Sequence, residues 1–248
     1  MQIITTAVIK GGTGKTTTAA AIAQAAAAAG KKVLAIDLDP QGNLSFVLAA
    51  EPERGGNSCQ LLNGAPARQL TQRTQQGVEV VKASADLAAE TTKQNSINRL
   101  TAALQPIKSK YQLIIIDTPP TMGELTYNAL MAATDLIIPL EADLNSLQGL
   151  LNIAEIAAAI QEHNELLKIS GIILTRYDPR PKINRQIKQA IEDKARALDI
   201  PFLMAIRKGI AITEAQATQQ SLFEYAPKSK PAQDYLQLYQ QITKRKGR

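Results

Sequence analysis

A chain of 248 residues, 45% hydrophobic and 20% charged, is long enough to bury the core of one large α/β domain, and this composition excludes a wholly disordered, collagen-like or coiled-coil protein. One cysteine, Cys59, and one histidine, His163, exclude an intrachain disulfide and a Cys/His metal framework, as suits a reducing cytoplasm. The net charge of +6 is uneven: residues 1–150 carry 12 Lys and Arg against 12 Asp and Glu, whereas residues 151–248 carry 16 against 10.

In chain order, short continuous apolar runs predict strands at Ile3–Ile9, Val33–Leu38, Val78–Val81, Leu113–Ile116, Leu136–Leu140, Ile169–Leu174 and Phe202–Ile206. Continuous rather than alternating runs suit strands buried on both faces. Helical patterns lie between most of them, at Thr17–Ala29, Ile97–Leu104, Leu147–His163 and Ile183–Leu198. The alternation predicts a single-domain, mainly parallel, doubly wound α/β sheet with helices on both faces. Ala19–Ala29 suits a small-residue helix packed close to a sheet. Segment 51–77 predicts a loop-rich excursion with a short helix near Pro66–Thr74. A terminal helix over about 231–245 places Tyr235, Leu238, Tyr239 and Ile242 on one face and ends in a basic cluster, which suits either docking on the domain or a membrane surface. The N-terminus has no basic stretch before its apolar run, and no 18-residue segment is apolar enough to span a bilayer, so neither secretion nor membrane spanning is expected.

The sharpest signal is the run Lys10-Gly11-Gly12-Thr13-Gly14-Lys15-Thr16-Thr17, set between the first strand and the first helix. Its glycines let successive N–H groups converge on phosphate oxygens at a helix N-terminus, where the potential is positive. Lys15 would neutralise the β- and γ-phosphates and the Thr16 hydroxyl would ligate Mg²⁺. The usual spacing needs glycine where Ile9 stands, so the loop is a variant with an extra lysine, Lys10. Asp37 and Asp39 close one strand and Asp117 closes another, which puts carboxylates at the same sheet edge if the strands are parallel. One such aspartate can hold Mg²⁺ through water and a second can orient an attacking water; Thr16, Asp39 and Asp117 are the expected metal-side residues.

KGGTGKTT, LAIDLDPQGN and LIIIDTPP together resemble the deviant Walker A ATPases of the ParA/MinD superfamily, in particular the short ParA-type partition ATPases. Weaker similarity extends through residues 83–90, 117–130, 174–180 and 214–238. The resemblance implies ATP and Mg²⁺ as ligands, Lys10 as a signature lysine reaching a partner's phosphates in an ATP-dependent homodimer, and Lys15 and Asp39 as hydrolytic residues. It makes Asp117 the Walker B carboxylate and Thr118-Pro119-Pro120 the γ-phosphate sensor, and it places adenine contacts around Thr175, Arg176, Ile206 and Arg207. It further implies a ParB-type centromere-binding partner that stimulates slow hydrolysis, non-specific duplex DNA as a ligand, and a cytoplasmic, nucleoid-associated protein. With no helix-turn-helix ahead of the first strand, operator-specific autorepression is not expected. Lys10 also sets the chain apart from carboxysome-positioning relatives, which lack it.

The basic C-terminal half points to a polyanion partner or to a solvated face that binds nothing. Six Tyr, three Phe and no Trp disfavour a single-strand stacking platform, leaving duplex backbone as the better-matched nucleic acid. The candidate contacts are Arg185, Lys188, Arg207, Lys208, Lys228, Lys230, Lys244, Arg245 and Lys246. The competing expectation is a MinD-like ATPase bound to membrane by its terminal helix, which the tail's Gln237, Gln240 and Gln241 disfavour. A further alternative is a metabolic P-loop enzyme, such as an amidotransferase-type synthetase or an iron–sulfur relative; the latter would need more than Cys59.

Overall fold

The computed structural model describes residues 1–90 and 97–244. Arg245 and Lys246 of the expected basic cluster lie outside the described residues.

The chain runs β1 (Gln2–Thr6), α1 (Lys15–Ala28), β2 (Val33–Asp37), α2 (Asn43–Val47), α3 (Ser58–Leu62), α4 (Ala67–Leu70), β3 (Gln72–Arg73), β4 (Glu79–Val81), α5 (Leu87–Glu90) and α6 (Arg99–Leu104). It continues through β5 (Leu113–Asp117), α7 (Glu124–Ala132), β6 (Asp135–Leu140), α8 (Ser146–Gln161), β7 (Lys168–Tyr177), α9 (Lys182–Ala197), β8 (Phe202–Arg207), α10 (Ala211–Ala217), α11 (Leu222–Tyr225) and α12 (Lys230–Lys244). The strands form one sheet in the order β3-β4-β2-β5-β1-β6-β7-β8. All pairings are parallel except that of the two-residue β3 with β4. The expected mainly parallel, doubly wound sheet is therefore present.

Successive strand residues point to opposite faces, and here both faces are covered. Ile4, Ala35, Ile115, Ile137 and Ile173 pack with α1 and α12. Their neighbours Ile3, Leu34, Ile36, Ile114 and Ile116 pack with α3, α6 and α7, while Leu136, Ile138, Ile172 and Leu174 pack with α8 and α9. This two-sided burial is why the strands read as uninterrupted apolar runs. Helix α1 is buried along Thr18–Ala26, where alanines allow close approach to the sheet and to α12.

Boundaries shift in several places. β1 ends at Thr6 rather than Ile9, because residues 7–9 already lead into the glycine loop. The expected helix over Pro66–Thr74 is helical only at Ala67–Leu70; Gln72 and Arg73 then pair antiparallel with β4. The terminal helix spans Lys230–Lys244, and Tyr235, Leu238, Tyr239 and Ile242 are all buried in the core. Its apolar face is thus occupied by the domain and not free for a membrane. Among the described residues no helix is long and apolar enough to cross a bilayer.

Candidate functional site

Parallel pairing puts three strand ends in register at the carboxyl edge of the sheet, with Thr6 opposite Asp117 and Asp117 opposite Asp37. The glycine loop rises from β1 at the centre of this edge, where sheets of this kind bind ligands. Gly12 and Gly14 hold the left-handed backbone, at φ +77° and +85°. A Cβ on Gly14 would also lie 3.1 Å from Thr175 Cγ2. Thr175 Oγ1 donates to the Thr13 carbonyl at 2.7 Å, so the end of β7 supports the loop from below. Gly14 is the N-cap of α1, with no side-chain cap and no acidic residue in the first turn. The first-turn N–H groups of a helix have no intrahelical acceptor, and these face the loop as an anion site.

Lys15 is 6% exposed and donates from Nζ to the Lys10 carbonyl at 2.9 Å, which folds its ammonium across the loop. Burial pushes its pKa down, and the nearby Asp117 and Asp39 oppose that shift. Thr16 Oγ1 donates to Asp117 Oδ2 at 2.6 Å, and Thr6 Oγ1 donates to Asp117 Oδ1 at 3.4 Å. Asp117 is wholly buried; burial first, and then the charge of Asp37, push its carboxyl up to about 8. Asp37 is pushed up to about 6 by burial, against the bonds it accepts from Ser45 and from the Asp39 N–H. Asp37 is thereby committed to shaping the loop after β2. Asp39 is left at the cavity wall, its Oδ1 accepting the Gln41 N–H at 3.0 Å.

Gly11, Gly12, Gly14, Lys15, Thr16, Thr17 and Asp39 line a cavity of about 540 Å³. Thr13 does not line it: the residue is buried under the loop, and its hydroxyl has no hydrogen-bond partner among the described residues. Pro120 and not Pro119 faces the cavity, because Pro119 is turned into the protein. A second cavity of about 280 Å³ adjoins it and shares Gly14, Thr17, Arg176, Thr213 and Gln216. Of the four residues expected near an adenine, Thr175, Arg176 and Ile206 line this second space and Arg207 does not. The Arg207 guanidinium instead grips Asp234 on α12. Sequence reasoning did not find Gln216, whose amide donates to Thr17 Oγ1 at 3.0 Å, or Tyr235, whose hydroxyl lies 3.3 Å from Thr18 Oγ1. Both lie far along the chain from their partners; no local pattern marks Gln216, and the helical periodicity marks Tyr235 only as an apolar-face residue.

Lys10 also lies outside the cavity of its own chain. Its ammonium pairs with Asp143, in the loop before α8, beside the 80%-exposed Leu144. Burial would raise the Asp143 carboxyl, yet the bond from Lys10 holds it below its ordinary value.

The donor set fits magnesium. Among the described residues no three His, Cys, Asp or Glu side chains form a metal cage, whereas a hydroxyl and one or two carboxylates beside a phosphate cradle are what Mg²⁺ requires. Thr16, Asp117 and Asp39 are the residues that would hold it.

Of the other basic candidates, Arg185, Lys208, Lys228, Lys230 and Lys244 are exposed. Two expectations need correcting. Lys188 is half-buried, paired with Glu192 and stacked over the Phe202 ring, and the Arg207 charge is matched by Asp234. Neither is a free surface cation.

A family model for an AAA domain matches residues 1–169. The chromosome partitioning protein ParA of Myxococcus xanthus is 34% identical over 98% of this chain and 88% of that protein. The chromosome-partitioning ATPase Soj of Thermus thermophilus is 32% identical over 98% and 95%. The crystal structure of cobyrinic acid a,c-diamide synthase from Mycobacterium smegmatis, with bound ADP and magnesium, superposes with a TM-score of 0.84 at 29% identity, covering 100% of this chain and 97% of that one.

Proposed function

The chain belongs to the ParA/MinD family of P-loop partition ATPases, and we propose that it acts in it as a ParA-like switch for moving plasmid or chromosomal DNA. ATP with Mg²⁺ joins two copies face to face. The dimer binds duplex DNA without regard to sequence, and hydrolysis stimulated by a ParB-type partner releases it onto a cycle over the nucleoid.

The observation that carries this reading is the division of labour between two lysines on one loop. Lys15 faces the cavity of its own chain, whereas Lys10 sits outside it at the mouth, held by Asp143. A cation at the rim that is not needed in cis is suited to phosphates bound in a second copy. Nucleotide favours the dimer only through contacts that the dimer alone makes, and Lys10 exchanging Asp143 for phosphate oxygens is such a contact. The exposed Leu144 beside it gives that rim an apolar element.

Within one copy, the loop N–H groups and Lys15 bind and orient the phosphates. Thr16 and Asp117 hold the metal side, and Asp39 is placed to orient water at the outermost phosphate. Mg²⁺, when bound, neutralises charge on the phosphate oxygens. A membrane-surface role loses its main support, since the apolar face of α12 is buried.

Light scattering of Lys10→Ala with ATP and Mg²⁺ tests the central step. The variant should bind nucleotide yet remain monomeric at concentrations where the wild type dimerises. A variant that dimerises normally removes the role given to Lys10.

A further inference from the structure

The smaller cavity is walled by two segments that meet outside it. Ile206, Lys208, Gly209 and Ile210, from the end of β8 and the turn after it, form one wall, and Tyr235 of α12 forms another. Arg207 and Asp234 occupy the intervening positions and do not face the cavity. The Asp234 side chain is 8% exposed, and its hydrogen bonds and ion pair run to Arg207. Its Oδ2 accepts the Arg207 main-chain N–H at 2.9 Å and Nε at 2.9 Å, and its Oδ1 accepts Nη2 at 2.6 Å and Nε at 3.2 Å. Such a fork fixes orientation as well as charge. Next to it, Gly209 lies so close to α12 that a Cβ there would sit 2.9 Å from Pro231 Cγ. Tyr235, adjacent to Asp234, is tied through its hydroxyl to Thr18 on α1.

We propose that the Arg207–Asp234 pair is a positioning clamp for the nucleotide base: it holds the turn after β8 against α12 and so sets the width of the slot that receives the heterocycle. The inference rests on reading the 280 Å³ cavity as the base subsite of the ATPase. The end of β8 and α12, which this pair joins by charge, form two of that cavity's walls, and α1, β7 and α10 close it through Thr17, Arg176 and Thr213. The phosphate cradle is built chiefly on β1, α1 and β5, and of these only α1 and its N-cap also reach the smaller cavity. Asp234, which lines neither cavity, is therefore a positioning residue whose effect falls on the base more than on the phosphates.

The test is steady-state ATP hydrolysis by the full chain, with inhibition by magnesium tripolyphosphate, a phosphate chain without a base, measured alongside. Asp234→Asn should raise the KM for ATP about tenfold with kcat within about twofold, and should leave tripolyphosphate inhibition at its wild-type strength. Asp234→Glu, which keeps the charge, should recover part of the loss. Arg207→Gln retains the main-chain bond to Asp234 and should give the same split at smaller amplitude, which keeps the test decisive if the aspartate variants do not fold. An unchanged KM in Arg207→Gln and Asp234→Asn overturns the clamp, as does an equal weakening of ATP and tripolyphosphate. A wild-type protein that binds ATP no better than tripolyphosphate overturns the base-subsite reading itself, and the clamp with it.

Discussion

Asp117 combines full burial with a neighbour of like charge, and both disfavour its ionised form. A carboxyl raised in the folded protein stabilises the fold below its unfolded value and loses that contribution as pH climbs through the folded value. For Asp117 the window runs from about 4 to about 8, and Asp37 acts in the same direction up to about 6. Measured without nucleotide or Mg²⁺, the melting temperature of the wild type should therefore fall across this range. Asp117→Asn should flatten the slope and melt higher than wild type at pH 8.5, and an unchanged slope would show that Asp117 ionises freely in the fold. Gly14 is constrained in two independent ways, by its left-handed backbone and by Thr175 Cγ2. Gly14→Ala should cost about 1–2 kcal/mol from the backbone conformation alone, read as a lower urea midpoint.

Helix α12 is packed on α1 and β8, and it contributes both core and cavity wall. Leu238 on its inner face is fully buried. Leu238→Ala should destabilise the protein by about 3 kcal/mol in urea unfolding, the cost of the lost transfer plus the cavity left behind. A loss under about 1 kcal/mol would mean that α12 is only loosely docked. The elements that sequence reading recovered are those with a long, self-consistent local pattern: the β1–loop–α1 unit, the aspartate-terminated strands β2 and β5, and the long helices α8, α9 and α12. Those it missed have no such pattern. β3 is two residues long and draws its order from β4 and from Gln72, whose amide bonds to the carbonyls of Glu51 and Arg54. The local pattern does not mark α7, because Thr126, Tyr127 and Asn128 interrupt its apolar positions; its order comes from Leu125, Ala129 and Leu130 packing into the core. At the site, the phosphate cradle was legible because it needs fixed residue types at fixed spacing. The smaller cavity was legible only in part, since Thr175, Arg176 and Ile206 lie at strand ends, whereas Gln216 and Tyr235 arrive from later helices and Arg207 is turned to Asp234 instead.

Across the whole molecule the +6 charge belongs to residues 151–248, but pairing removes some of it from use. Lys188 and Arg207 are matched by carboxylates, so among the described candidates the exposed cations are Arg185, Lys208, Lys228, Lys230 and Lys244. Two copies placed side by side would present twice this number to one duplex. Counterion release then makes binding both stronger and steeply dependent on salt. The most direct measurement is fluorescence anisotropy of a labelled random-sequence duplex titrated with the protein in ATP·Mg²⁺, ADP·Mg²⁺ or no nucleotide, at two salt concentrations. The account predicts binding that requires ATP and weakens about tenfold or more between 50 and 200 mM salt. Binding that is equal in all three nucleotide states, or absent from all of them, would contradict it.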